Sequence, residues 1–199
     1  MADKDRKIQI LKAAVKRFAK HGLNKTTLDE IARDLRIGKA TIYNYFESKE
    51  ELFYETIKWE AAQYIDEIKV IFNNEEISAS QKFFEYIIYK ENTVQKFRLL
   101  YELFILLLKD VGIDHYVKSF ENELLILKEL FNEEEKIICN VLTPIYNNKK
   151  ESFNETLPSF LVMQSWGIFF SGRLFAISQK GNVDATHELF MKALGNILD

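Results

Sequence analysis

The sequence predicts an all-α protein in two parts, an N-terminal bundle of three short helices and a larger C-terminal helical domain. Three observations lead there. Apolar residues recur at helical spacing through most of the 199 residues, and no strand-like alternation persists. Only two prolines and seven glycines interrupt the chain, which favours long helices over a turn-rich β fold. Hydrophobic residues make up 47%, enough for a sizeable core and too many for a disordered chain.

The first helix carries Ile8, Leu11, Val15 and Phe18 on one stripe, and His21-Gly22 supplies its stop. Thr27 opens the second, with Glu30 three residues on to complete a capping box. Leu28, Ile31, Ala32 and Leu35 form its inner face. After a short break a third helix spans Gly38 to Tyr45, with Ile42 and Phe46 turned back toward the first two. Ser48 and Glu51 cap a fourth, running to Phe72 before "FNNEE". Further helices are expected near 78–92, 94–109 and 115–145, with Pro144 ending or kinking the last of these. The polar stretch "NNKKESFNET" is a loop, and two helices near 157–179 and 184–198 follow, parted around Gly181. The division expected is 1–47 and 48–199, joined through the fourth helix without a flexible linker.

Net charge is −3 but unevenly spread. Residues 1–50 hold 12 Lys+Arg against 7 Asp+Glu, a net of +5, which leaves −8 on the remainder. A basic end on an acidic protein suits a polyanion. The stretch "ATIYNYFESKEEL" gives that end its chemistry. Two short helices three or four residues apart make a helix-turn-helix, whose second helix enters the major groove of DNA. Lys39 donates to phosphate or guanine, and Ala40 and Thr41 are small enough for close approach and for a thymine methyl. Thr41, Tyr43 and Tyr45 offer hydroxyls to phosphate, and Asn44 suits adenine. Ser48 and Lys49 open the next helix, and Thr27 opens the second, so backbone N–H groups there add to a phosphate clamp.

On these residues the first 55 or so positions resemble the DNA-binding domain of the tetracycline-repressor (TetR) family of bacterial transcriptional regulators. The matching residues are Ala13-Ala14, Phe18, Gly22, Thr26-Thr27, Ile31-Ala32, "KATIYNYF" (Lys39–Phe46) and "SKEEL" (Ser48–Leu52). The resemblance implies an all-helical homodimer on a palindromic DNA operator. It also implies a C-terminal domain that binds a small molecule and releases the DNA. Arg36-Ile37-Gly38 stands where the family has Gly-Val/Ile-Ser, and Ala40 where it has Gly. Arg36 in a left-handed turn costs roughly 1–2 kcal/mol, and a phosphate contact from its guanidinium would offset that strain.

The eighth helix, "PSFLVMQSWGIFFSGRLFAIS", is apolar almost all round and must be covered on more than one side. The resemblance implies that it and the ninth pack against a partner subunit. Gly167, Ser171 and Gly172 would allow close approach, and Leu161, Ile168, Phe175, Leu189, Leu194 and Ile197 would supply apolar area. A ligand pocket between helices is mostly apolar with a few convergent polar groups. The candidates are Trp59, Phe84, Tyr101, Phe104, Tyr116, Phe120, Trp166 and Phe170, with Gln63, Glu102, His115 and Gln164 as polar partners.

An enzyme is not expected. His21, His115 and His187 are scattered, no Glu-x-x-His pair exists, and no phosphate loop or nucleophile elbow appears. Cys139 is the only cysteine, so no disulfide or thiolate metal cluster forms, and no metal or cofactor is called for. "MADKDRKIQ" is charged and does not read as a signal peptide. The apolar run at Phe104–Leu108 is too short to span a bilayer. The expected setting is the cytoplasm, with double-stranded DNA, a small-molecule effector and a second copy of the chain as partners. The alternative function is a constitutive or activating DNA-binding regulator without a ligand.

Overall fold

The computed structural model describes residues 2–93, 96–109, 121–149, 154–178 and 183–198, with side chains described over 3–93, 96–105, 124–149, 154–167 and 188–195. Nine helices and no strand occur among the described residues: α1 (Ala2–Lys25), α2 (Leu28–Asp34), α3 (Lys39–Tyr43), α4 (Lys49–Phe72), α5 (Ala79–Asn92), α6 (Arg98–Lys109), α7 (Glu121–Lys149), α8 (Leu157–Ser178) and α9 (Val183–Leu198). They form two compact units, the first Met1–Gln63 with Phe97–Leu127, the second Tyr64–Lys96 with Lys128–Asp199. Helix α4 is continuous through the boundary.

In the first unit α1 packs on α2 and α6, and α2 packs on α3. The buried face of α1 is Ile10, Leu11, Ala13, Ala14 and Phe18, while Ile8 and Val15 are only half-buried. The expected stripe was therefore rotated slightly from the true one, which includes the small Ala13 and Ala14. Gly22, at φ 74° and ψ 170°, breaks the helical geometry of α1 as the stop signal predicts. Its carbonyl accepts the buried Thr26 hydroxyl at 2.8 Å. Phe18 meets Phe53 edge-on at 5.1 Å, fastening the start of α4 to α1.

A second polar group is buried in this unit. Glu60 of α4 is 1% exposed and accepts the Leu100 N–H at 2.9 Å, so a side chain from α4 caps the amino end of α6. Helix α6 starts at Arg98, where a start near 94 was expected.

In the second unit α5, α8 and α9 pack on one another around Tyr64, Ile68, Phe72, Phe83, Tyr86, Ile138, Leu142 and Leu161. At its centre lies an ionic cluster. Lys90 of α5 donates to Glu134 Oε2 of α7 at 2.6 Å and to Ser165 Oγ of α8 at 2.7 Å. Its ammonium also lies 4.5 Å from the Tyr86 ring centre and 4.1 Å from that of Trp166. Glu134 further accepts the Tyr86 hydroxyl, and its Oε1 accepts the Trp166 indole N–H at 3.3 Å. Lys90 is 2% exposed and Glu134 0%. Burial pushes the ammonium down to about 8, against the pull of Glu134 that holds it up.

Helix α7 runs on past Pro144 to Lys149, where a stop or kink near 145 was expected. The proline deprives only the Asn140 carbonyl of its helical partner. Both residues are exposed, so water meets that loss at little cost.

Candidate nucleic-acid interface

The helix-turn-helix is built by local chemistry. Thr27 has extended geometry, its hydroxyl accepts the Glu30 N–H, and the Glu30 carboxylate accepts the Thr27 N–H at 3.0 Å, which completes the capping box. Leu35 ends α2. The Ile37 N–H then bonds back to Ala32 O at 3.0 Å and the Arg36 N–H to Arg33 O at 3.1 Å, the paired bonds of a Schellman turn. Its left-handed position is Arg36, at φ 53°. Glycine is the residue this turn favours, so the departure at Arg36 carries real strain. Arg36→Gly is expected to raise stability by about 1 kcal/mol, or about 2–4 °C in Tm. A simultaneous drop in operator affinity, read by fluorescence anisotropy, would assign the guanidinium to a phosphate; unchanged affinity would leave it as strain alone.

Gly38 caps α3 with no side-chain bond, and α3 itself ends at Tyr43, two residues earlier than expected. Ile42 and Phe46 are buried at 0% and 1% and fix the helix to the rest of the unit. On the other side Thr27, Arg36, Lys39, Ala40, Tyr43 and Asn44 are exposed, with Thr41, Tyr45 and Lys49 half-buried. Three of these groups are already held within the chain. The Lys39 ammonium bonds Asp29 at 2.8 Å, the Tyr45 hydroxyl donates to Asp3 at 2.5 Å, and Lys49 donates to the Leu23 carbonyl at 3.0 Å. Asp29 raises the Lys39 pKa above its ordinary value, and Asp3 raises that of the Tyr45 phenol. Sequence reasoning did not single out Asp3 and Asp29, the two acids that hold the Tyr45 hydroxyl and the Lys39 ammonium. At the start of α4, Ser48 Oγ accepts the Glu51 N–H at 3.0 Å, and the Glu51 carboxylate takes the Glu47 N–H. The expected phosphate clamp there is thus partly filled by the chain's own cap.

The expected pocket residues divide between the units. In the first, Tyr101 and Phe104 are buried and Trp59 is half-buried. Gln63 and Glu102 are exposed, and Glu102 pairs with Arg98 at 2.9 Å one turn before it on α6, so neither is gathered into the interior. In the second, Trp166 is buried in the ionic cluster, and Gln164 is exposed. Phe84, 40% exposed, lines an open groove of about 780 Å³ with Ser78, Gln81, Ile88, Met191 and Lys192. His115, Tyr116 and Phe120 lie outside the described residues, as does the side chain of Phe170.

Of the expected interface residues, Leu161 and Leu194 are 2% and 1% exposed within their own unit and have no area left for a partner. Leu189 is 69% exposed. The side chains of Ile168, Ser171, Gly172, Phe175 and Ile197 lie outside the described residues. Phe160 and Met163, which sequence reasoning did not single out, are 52% and 70% exposed and with Gln164 and the open Gly167 form one face of α8 at helical spacing. The signal was there, since α8 is apolar on all sides and some of it had to face outward.

Among the described residues no helix is long and apolar enough to cross a membrane, and no group of His, Cys, Asp and Glu is placed to hold a metal.

Residues 10–56 match the family described as bacterial regulatory proteins, tetR family. Over 66 residues the chain is 47% identical to an uncharacterized HTH-type transcriptional regulator, YhgD, of Bacillus subtilis, covering 32% of this chain and 35% of that protein. Over 52 residues it is 36% identical to IcaR, the negative transcriptional regulator of the biofilm operon icaADBC in Staphylococcus aureus, covering 26% and 28%. The chain thus spans about a third or less of the length of these relatives. Along nearly its whole length it has the fold of the Bacillus subtilis regulator FadR solved with stearoyl-CoA (TM-score 0.59, 18% identity, 96% of this chain and 97% of that one). It likewise has the fold of Salmonella enterica GusR (TM-score 0.67, 16% identity, 96% and 94%). The helix-turn-helix region, residues 10–56, thus matches the tetR family and its relatives, and the chain as a whole shares its fold with solved transcriptional regulators.

Proposed function

We propose that the protein is a transcriptional repressor that binds a palindromic DNA operator as a homodimer and leaves it when a small, largely apolar ligand enters its C-terminal domain. The observation that carries this reading is the exposed face of α3 and its flanks, where Lys39, Ala40, Tyr43 and Asn44 stand opposite the buried Ile42 and Phe46. On that reading residues 1–47 hold the DNA and 48–199 bind ligand and partner. Phe160, Met163, Gly167 and Leu189 form the described part of the dimer face. The protein acts by binding rather than catalysis, in the cytoplasm. Names of relatives support repression, and FadR, solved with stearoyl-CoA, supports a ligand in this fold. Helix α4, continuous from the helix-turn-helix into the second unit, is the lever through which a ligand would shift the population away from the DNA-binding state.

The test is footprinting on the DNA flanking the protein's own gene, with the subunit count from sedimentation. A protected palindrome bound by a dimer is expected. With roughly six phosphates neutralised, the log–log dependence on salt should have a slope on the order of −5, and half-sites should be centred about 34–36 Å apart or a multiple of that. A monomer, or equal binding to any duplex, would refute it.

A further inference from the structure

Glu60 is placed as no ordinary helix cap would be. One carboxylate oxygen takes the Leu100 N–H, while Oε1, buried with the rest of the side chain, has no hydrogen-bond partner. Its neighbours on α4 do not help: Thr56, one turn before and fully buried, spends its hydroxyl on the Leu52 carbonyl at 2.6 Å. Among the described residues no cation is paired with it. Arg98, the nearest on α6, is exposed and paired with Glu102, and Glu102 itself adds negative potential. The positive end of α6 is the compensation present, and it is insufficient, since burial pushes the Glu60 carboxyl up to about 7 although the Leu99 and Leu100 amides pull it down. Either protonation state leaves Oε1 unmet: ionised it lacks a donor, protonated it lacks an acceptor.

We propose that Glu60 recognises the effector, and that the effector is an organic amine whose N–H bonds close on the unmet oxygen at the amino end of α6. A hydroxyl would supply the donor alone. An ammonium supplies the donor and the missing positive charge together, and charge-assisted bonds are about twice as strong as neutral ones. The inference rests on the reading of this chain as a ligand-controlled regulator and names the class of ligand.

Calorimetry of the full chain at pH 7 tests it, with benzylamine, phenethylamine and tryptamine each set against the alcohol of the same skeleton. At least one amine should bind roughly ten- to hundredfold more tightly than its alcohol. Binding should also release about half a proton, seen as a dependence of the heat on the buffer, because a carboxyl titrating near 7 is ionised by its new partner. Glu60→Gln should abolish the preference for amine over alcohol, and Glu60→Asp should weaken binding while keeping it. No amine binding at about 1–10 mM, equal binding of amine and alcohol, or a preference that survives in Glu60→Gln overturns the proposal. If Glu60→Gln does not fold, the wild-type comparison and the proton release decide alone. Operator binding without amine, measured separately, reports on the regulator reading and not on this one.

Discussion

Lys90→Met should unfold the second unit at markedly lower urea, with a loss of about 3–5 kcal/mol. The single substitution strands the Glu134 carboxylate in a site 0% exposed, with the Tyr86 hydroxyl and Trp166 indole as its remaining donors. Lys90→Met/Glu134→Gln should recover most of the loss, to within about 1–2 kcal/mol of the wild type, because the amide is neutral and still accepts from those donors. Trp166 fluorescence reports the transition from within the cluster. Equal stability of the single variant and the wild type would mean that water reaches Glu134, contrary to its burial. A double variant no better than the single would mean that the geometry of the three-helix junction, rather than its charge, sets the stability.

On the proposed reading Lys39→Ala is expected to weaken operator binding roughly ten- to hundredfold, since each of two subunits would lose one charge-assisted phosphate contact. The salt dependence should flatten by about 2 in slope, at about 0.9 for each phosphate released. The opposite sign is expected of Asp29→Asn. In the free protein Asp29 holds the Lys39 ammonium at 2.8 Å, so DNA must displace a carboxylate before it takes the lysine. Removing that competitor should tighten binding severalfold while leaving the salt slope near its wild-type value. The pair of variants separates the two roles: a Lys39→Ala protein with unchanged slope would place the lysine away from the phosphates.

The parts of the fold legible in the sequence are those determined within a few residues. Thr27 with Glu30, Ser48 with Glu51, Gly22 at a helix stop and Ile42 with Phe46 each announce themselves at a spacing of one turn. What escaped is determined across long separations. Lys90 and Glu134 lie 44 residues apart, and Glu60 and Leu100 lie 40 apart. A local clue existed all the same. Phe83, Tyr86 and Ile87 lead to Lys90 on the buried stripe of α5, and Ile57 and Ala61 flank Glu60 on that of α4, so each charge occupies a core position in its own helix. A charge on the apolar stripe is a sign of a buried partner or of one still to come. Aromatic content, which guided the choice of pocket residues, was a weaker sign, because Trp166 serves the core and Phe84 faces an open groove. In a helix apolar all round, composition does not tell the inward face from the outward one: Leu161, expected outward, is buried, while its neighbours Phe160 and Met163 are exposed.

The continuity of α4 limits how this protein can be recombined. A chimaera that borrows another relative's DNA-binding head has one clean seam, just before Ser48, where the cap restarts the helix on its own terms. A splice inside the 24 residues of α4 would turn the rest of that helix by about 100° for each residue gained or lost, so that its two ends could not both keep their present neighbours. Diversity in operator choice is therefore open to exchange by whole heads, while the helix behind them must be inherited in register.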